Sequence, residues 1–436
     1  MKDGFVILIR PANRLPYIFR KEMIVMKMKK LGALLLALLL SLSVFSACGS
    51  GGSQATDAPT STASAPKPEE TSAPAVETEK LEETVSDDDV DGELIVDHEE
   101  QLQYAQFFTM THYKGGYISF TVIGGEEDYE WLIVPEGKRV PEGLADNVVV
   151  LQQPLDRIRC GSTPVTMIAA FDGLDHVSSI NVKEDTIAVD KVAEAINAGK
   201  IVYSGSYKEP DYETITAQGT QLVFDSNMLD SCPEVKEKYE ELGIPYVVVR
   251  DSKEVHPLGS AEWVKIYGAV LGMWDEANAY FDAQIEQVNA VTTDEKLGKT
   301  VAIVYYSMDG TKVYARRGGD AYAAMVDLAG GEYIMKDFEP EKTGVATITM
   351  EDYFALCKDA DYLINLNLAA HLYTIDELLE IAPFMEDFKS VKDGNVYVAR
   401  DRISQFGFDN AGIIADMNTI LKDSTVESTN YFSKMK

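Results

Sequence analysis

The stretch HPLGSAEWVKIYGAVLGMWDEANAYFDAQIEQV, residues 256–288, decides how the rest of the chain is read. Apolar residues recur at Trp263, Ile266, Tyr267, Val270, Leu271, Trp274, Ala277, Phe281, Ile285 and Val288, the three-and-four spacing of one helical face. Ser260 reads as the N-cap, Glu262 suits the positive start of a helix, and Pro257 lies just outside. The next proline is Pro340. The spacing predicts one helix over 260–288, a rod about 43 Å long at ~1.5 Å per residue. That exceeds the width of a small domain, so the expectation is a strut between two lobes rather than a core helix.

Strand and helix patterns alternate on both sides of the strut. Before it, DRIRCGS, GKIVYSG, TQLVFDS and IPYVVVRD read as strands. The helices between them include TPVTMIAAFDGLDHV, opened by Ser162 or Thr163, EPDYETITAQG ending at Gly219, and CPEVKEKYEELG ending at Gly243. After it, KTVAIVYYS, DYLINLN and GNVYVAR are strands, and DAYAAMVDLAGG, TMEDYFALCKDA, TIDELLEIA and NAGIIADMNTILKD are helices. Thr349 with Asp352, and Thr374 with Glu377, have capping-box spacing. Such alternation implies mostly parallel sheets covered by helices. The predicted fold class is α/β, with two mostly parallel, Rossmann-like lobes joined by a single long helix. A β-hairpin addition, GGYISFTVIGGEEDYEWLIVPEG turning at Gly124 and Gly125, and a strand in NVVVLQQP precede the first lobe. Ligands of open α/β sheets bind beyond the C-terminal strand ends, so two facing lobes make a clamp.

The N-terminal fifth has another character. Lys27, Lys29 and Lys30 precede an apolar run from Leu31 to Leu40, too short to span a bilayer and matching a signal-peptide core. Small residues lead to Cys48. From Cys48 to Gly92 the chain is rich in Gly, Ser, Thr, Ala, Pro and Glu, a composition that buries too little apolar surface to fold. The expected organisation is a leader over 1–47, with 1–25 upstream of a true start at Met26 or Met28. A tether over 48–92, a β-rich addition over 93–152, a first lobe over 153–258, the linking helix over 259–292 and a second lobe over 293–436 follow.

The chain carries 39 Lys/Arg against 71 Asp/Glu, a net charge of −32, and loss of the basic leader makes it more acidic still. Such charge argues against nucleic acid and against electrostatic binding to anionic lipid. Of four cysteines, Cys160, Cys232 and Cys357 remain if Cys48 is modified; an odd number without CxxC indicates buried thiols rather than a disulfide framework or zinc cage. The five histidines show no i, i+3 or i, i+4 pairing, so no metal ligand set is expected, and His256 reads as a cap or hinge. No dinucleotide-binding, phosphate-loop or nucleophile-elbow motif stands in its required context, so no enzyme is expected.

The order and spacing of several stretches resemble the lipid-anchored substrate-binding proteins of ABC importers for ferric siderophores, haem and cobalamin. They are PLDRI (154–158), YKEPDYETI (207–215), LGIPYVVV (242–249), HPLGSAEWVKIYGAVLG (256–272), ARRGGDAYAAMVDLAGGEYI (315–334) and VKDGNVYVA (391–399). The resemblance covers residues 153–421 and leaves 93–152 outside. It implies a lipidated, palmitate-bearing Cys48 and a place on the extracytoplasmic face of the cell membrane. The implied partners are an ABC permease and a small-molecule metal chelate; no resident cofactor is implied, and a monomer is expected. Glu213 and Glu332, one per lobe, are the implied permease-docking acids. Arg316, Arg317 and Arg402 would face the ligand, with Tyr203 and Tyr207 packing on it. Adjacent arginines favour an anionic ferric siderophore over haem or cobalamin. A chelatase-like enzyme on the same scaffold is the competing reading.

Overall fold

The structure, a computed structural model, describes residues 94–436 apart from 126–128, 293–294, 308–310, 367–373 and 401. Cys48, the leader and the tether lie outside the described residues.

Five strands form the first sheet in sequence order: β1 (Val96–Glu99), β2 (Phe108–Tyr113), β3 (Ile118–Val122), β4 (Glu130–Val134) and β5 (Val148–Gln152). Neighbours pair antiparallel except β4 and β5, which are parallel. Alternation along the strands sends Phe108, Met110, Phe120, Trp131, Ile133 and Leu151 into the common core, and Tyr117, Leu132 and Val134 into a small cluster on the other face.

The first lobe follows as β6 (Ile158–Cys160), α1 (Ser162–Ala170), β7 (Val177–Ile180), α2 (Asp190–Asn197), β8 (Val202–Tyr203), α3 (Tyr212–Ala217), β9 (Leu222–Ser226), α4 (Pro233–Glu241) and β10 (Tyr246–Val249). Its sheet runs β10-β9-β6-β7-β8, all parallel. β6, β9 and β10 are short and almost wholly buried, as strands covered on both faces require.

The linking stretch is helical, but it is not one rod. It forms α5 (Pro257–Glu262), α6 (Val264–Leu271) and α7 (Trp274–Val291). The junction at Trp263 is slight, since Trp263 keeps helical torsions. The break at Gly272 is a corner. Gly272 adopts φ +71°, and Met273 N–H closes the turn on the Gly268 carbonyl at 2.8 Å, the left-handed termination that glycine favours. Gln153 donates to the freed carbonyls of Ala269 and Val270 at 3.0 and 3.1 Å. Across the corner α6 and α7 pack closely. A Cβ on Gly268 would stand 2.4 Å from the Ala277 Cβ. The expected 43 Å strut is therefore corrected: its longest piece is α7, about 27 Å, and Trp263, Val264, Ile266 and Tyr267 are fully buried. The linker runs through the core.

The start of the stretch also differs from expectation. Ser260 is not the N-cap; His256, read as a cap or hinge, is, its ring accepting from Leu258 N–H at 3.1 Å. Glu262 does not serve the helix start. Its carboxylate accepts the backbone N–H groups of Gln103, Tyr104 and Ala105 at 2.8–2.9 Å. Glu254 takes those of Gln106 and Phe107, and the indole N–H of Trp263, at 2.9–3.2 Å.

The second lobe comprises β11 (Thr300–Val304), β12 (Lys312–Arg316), α8 (Ala321–Leu328), β13 (Glu332–Tyr333), β14 (Val345–Thr349), α9 (Met350–Cys357), β15 (Tyr362–Asn365), α10 (Ile375–Ile381), α11 (Lys389–Lys392), β16 (Val396–Ala399), α12 (Asn410–Lys422) and β17 (Phe432–Lys434). Its sheet runs β13-β11-β15-β16-β17, parallel except for β17. β12 and β14 form a separate antiparallel ribbon. Thr374 and Glu377 complete a reciprocal capping box; Thr349 caps α9 without the return bond. α12 packs along α7, joining this lobe to the linker.

Gly268→Ala is expected to lower the free energy of unfolding by about 1–3 kcal/mol, the usual cost of overpacking. Denaturant titration checks this; an unchanged midpoint would contradict the close approach at the corner.

Candidate functional site

A cavity of about 220 Å³ lies between the lobes. Thr163 follows β6 and Asp251 and Ser252 follow β10 on one side. Arg316 ends β12, and Ser404 and Gly407 lie beyond β16 on the other. Both lobes thus turn the C-terminal ends of their strands toward it, as open α/β sheets do toward ligands.

Arg316 is the cation in this cavity. Its guanidinium carbon stands 4.5 Å from the Tyr322 ring centroid, and Nη1 lies 3.5 Å from Asp320 Oδ2. Its buried Nε has no hydrogen-bond partner among the described residues. Asp320 is already committed, capping α8 through Tyr322 N–H at 3.1 Å and accepting Gly344 N–H at 3.0 Å. Arg316 therefore has donor capacity to offer a ligand.

Arg317 does not join it. Nε donates to Glu339 at 2.6 Å, and Nη1 donates to the carbonyls of Thr343, at 3.1 Å, and Val345. Adjacent residues of an extended chain leave on opposite sides, so a tandem pair in sequence is not a pair in space. Arg402 lies at the rim, where Nη1 donates to the Asp185 carbonyl of the first lobe at 2.7 Å. Gln405 makes two further bonds across the lobes, to Thr186 O at 2.6 Å and from Ala188 N–H at 2.8 Å. Tyr203 is exposed at the end of β8, and Tyr207 packs with Tyr212 against the outer cluster around Ile215, Val235 and Tyr239. Neither lines the cavity. Glu213, in the first turn of α3, and Glu332, on edge strand β13, are both exposed; Lys336 Nζ lies 2.7 Å from Glu332.

Sequence reading missed a buried polar network at the strand ends of the first lobe. Arg159 donates to Ser204 Oγ at 3.0 Å, to Gly205 O at 2.9 Å and to Asp225 at 3.3 Å, while Asn181 reaches both Asp225 oxygens at 2.9 and 3.0 Å. These residues belong to β6, β9 and the chain leaving β7 and β8, so the network ties four strands where they face the cleft. Burial raises the Asp225 pKa despite the arginine beside it. The available signal was an arginine and an aspartate inside apolar strands, DRIRCGS and TQLVFDS.

The periplasmic binding protein family matches residues 165–403, more than half of the chain. The chain belongs to that family. A periplasmic binding protein is a binding protein and not an enzyme; it acts outside the cytoplasm, holding a small molecule for an ABC permease. Two relatives in Methanocaldococcus jannaschii are named uncharacterized lipoproteins. One is 29% identical, over 76% of this chain and 85% of its own length. The other is 27% identical, over 68% and 76%. A periplasmic haem-binding protein from Pseudomonas aeruginosa aligns in structure over 64% of this chain and 98% of its own, with 14% identity and a TM-score of 0.48.

Within the cleft of this periplasmic binding protein, Asp251 has its pKa pushed up to about 6, first by desolvation and further by the charge of Glu254. The folded value stands above the unfolded value of ~3.9. The stability it contributes is thus complete below about pH 4 and lost as pH rises through about 6. Asp251→Asn is expected to exceed the parent by about 2–3 kcal/mol near pH 8, with no gain near pH 4. Denaturant titrations at both pH values check this, and a pH-independent effect would contradict the assignment.

Proposed function

We propose that this protein captures a metal chelate in the interlobe cleft and delivers it to an ABC permease from a lipid anchor at Cys48. The observation that carries the ligand assignment is Arg316, a half-buried guanidinium in a cavity between two lobes, whose Nε is unsatisfied among the described residues. Guanidinium donors suit the anionic oxygens of a ferric siderophore. Arg316 alone takes the part that two adjacent arginines were expected to share. The cavity, at about 220 Å³, is below the roughly 300–1,000 Å³ of pockets that enclose larger organic ligands. A chelate of siderophore size therefore enters by parting the lobes, which breaks the bonds of Arg402 and Gln405 to residues 185–188. Glu213 and Glu332, exposed on separate lobes, are suited to bidentate arginine partners on a permease.

Arg316→Ala is expected to weaken ferric siderophore binding roughly thirty-fold or more, the loss of about 2–5 kcal/mol that follows removal of one partner of a desolvated charge contact. A fluorescence titration with anionic and neutral ferric siderophores, haem and cobalamin checks it. Tight cobalamin binding, or unchanged siderophore binding by the variant, would overturn the ligand class.

Replacing Glu213 and Glu332 together with Ala is expected to abolish uptake in cells while ligand affinity is unchanged. Uptake equal to the parent's would remove both from the docking role.

A further inference from the structure

Three side chains outside the cleft meet on the first sheet. His98 in β1 and His112 in β2 are register partners across an antiparallel pair. Their rings stack at 4.4 Å between centroids, 5° from parallel. Glu100 follows β1, and its Oε2 lies 3.4 Å from His112 Nε2, which is buried and has no aligned hydrogen-bond partner among the described residues. One donor atom from each of the three lies within 4.8 Å of the other two. The register explains the meeting. Between Val96 and His98 the pairing slips by one residue, which sets His98 opposite His112; such irregularities re-aim side chains at functional sites.

The surroundings are those of a metal-ligand set. Asp97 holds His98 through Nδ1 at 2.9 Å, which leaves Nε2 free to ligate. Lys265 Nζ holds Glu100 through Oε1 at 2.7 Å, which leaves Oε2 toward His112. Outer partners of this kind orient ligands in metal sites. Glu262, 3.2 Å from Lys265 Nζ, balances the lysine charge. His98 is exposed and the other two partly buried, so an ion would reach the site from solvent and keep open positions.

We propose that His98, His112 and Glu100 bind a divalent transition-metal ion of the zinc, nickel, copper and cobalt class. Two imidazoles with one carboxylate suit these ions and not calcium or magnesium. Tetrahedral donors 2.0–2.1 Å from an ion lie about 3.3 Å apart, a contraction within reach of side-chain rotation. The site is separate from the cleft; none of its residues lines that cavity. It gives residues 94–152 a chemistry of their own, and it stands independently of the ligand proposed for the cleft.

Trp274 supplies a local readout, since its ring meets the His112 ring edge-on at 4.9 Å. The test uses the full chain stripped with a chelator. Calorimetry with Zn²⁺ is expected to show one site per chain. Cu²⁺ is expected to quench a component of tryptophan emission that Trp274→Phe removes. His98→Asn, His112→Ala and Glu100→Gln are each expected to weaken Zn²⁺ binding by more than about tenfold, at least the loss that follows removal of outer-layer partners. His98→Asn alters an exposed residue and keeps the test valid if the buried variants misfold. His176→Ala and Arg316→Ala are expected to leave Zn²⁺ affinity unchanged. Absence of a stoichiometric Zn²⁺ site, or binding that survives both histidine variants, would overturn the proposal.

Discussion

Two buried carboxylates hold this molecule together. Glu262 is fully buried and Glu254 nearly so, and between them they accept five consecutive backbone N–H groups, from residues 103–107. A buried carboxylate is costly unless its lone pairs are filled. Here the backbone fills them, with Lys265 3.2 Å from Glu262 and the Trp263 indole on Glu254. The dependence is mutual. Without the glutamates those amides would be unsatisfied, at about 1–3 kcal/mol each where buried. The clamp therefore fixes the first sheet to the linking helices, and Phe108 against Trp263 at 5.0 Å adds apolar contact beside it.

The arrangement of the cleft follows. α5 and α6 run through the core, Gly272 turns the chain, and α7 lies along α12 of the second lobe. Both ends of the linker are thus built into packed layers, and Gln153, just ahead of the first lobe, finishes the corner. At the rim of the cleft the lobes are joined by polar contacts from Arg402 and Gln405. Apolar residues of 403–409, next to them, also belong to the apolar core shared with the first lobe.

The α/β alternation was legible in most elements because those strands are short apolar runs bounded by turn residues and most helices carry a cap or a terminal glycine; β7 and α2 were not read, and the helix read over 163–177 ends at Ala170. The linker was legible as helix but not as a corner, because its apolar period continues through Gly272 and outweighed the glycine. Glu262 was misassigned for a different reason. Its partners lie 157–159 residues away in sequence, and only tertiary structure brings them together. The same holds for His98 and His112, which a search for helical spacing passes over and a strand register joins. Arg316 and Arg317 stand adjacent in the chain, yet one faces the cleft and the other is consumed by Glu339. Side-chain periodicity reveals which face of an element is apolar; it does not reveal which charged residue has donors to spare.

Amide hydrogen exchange at residues 103–107 measures most directly whether the buried glutamates join residues 94–152 and the two lobes into one cooperative body. These amides belong to a loop, and in an exposed loop they would exchange through local opening. With the clamp intact they are expected to be protected to the level of the core strands β6 and β9, and to lose that protection together in Glu262→Ala. Fast exchange in the parent protein, at rates of an open loop, would contradict the clamp and detach the first sheet from the rest of the fold.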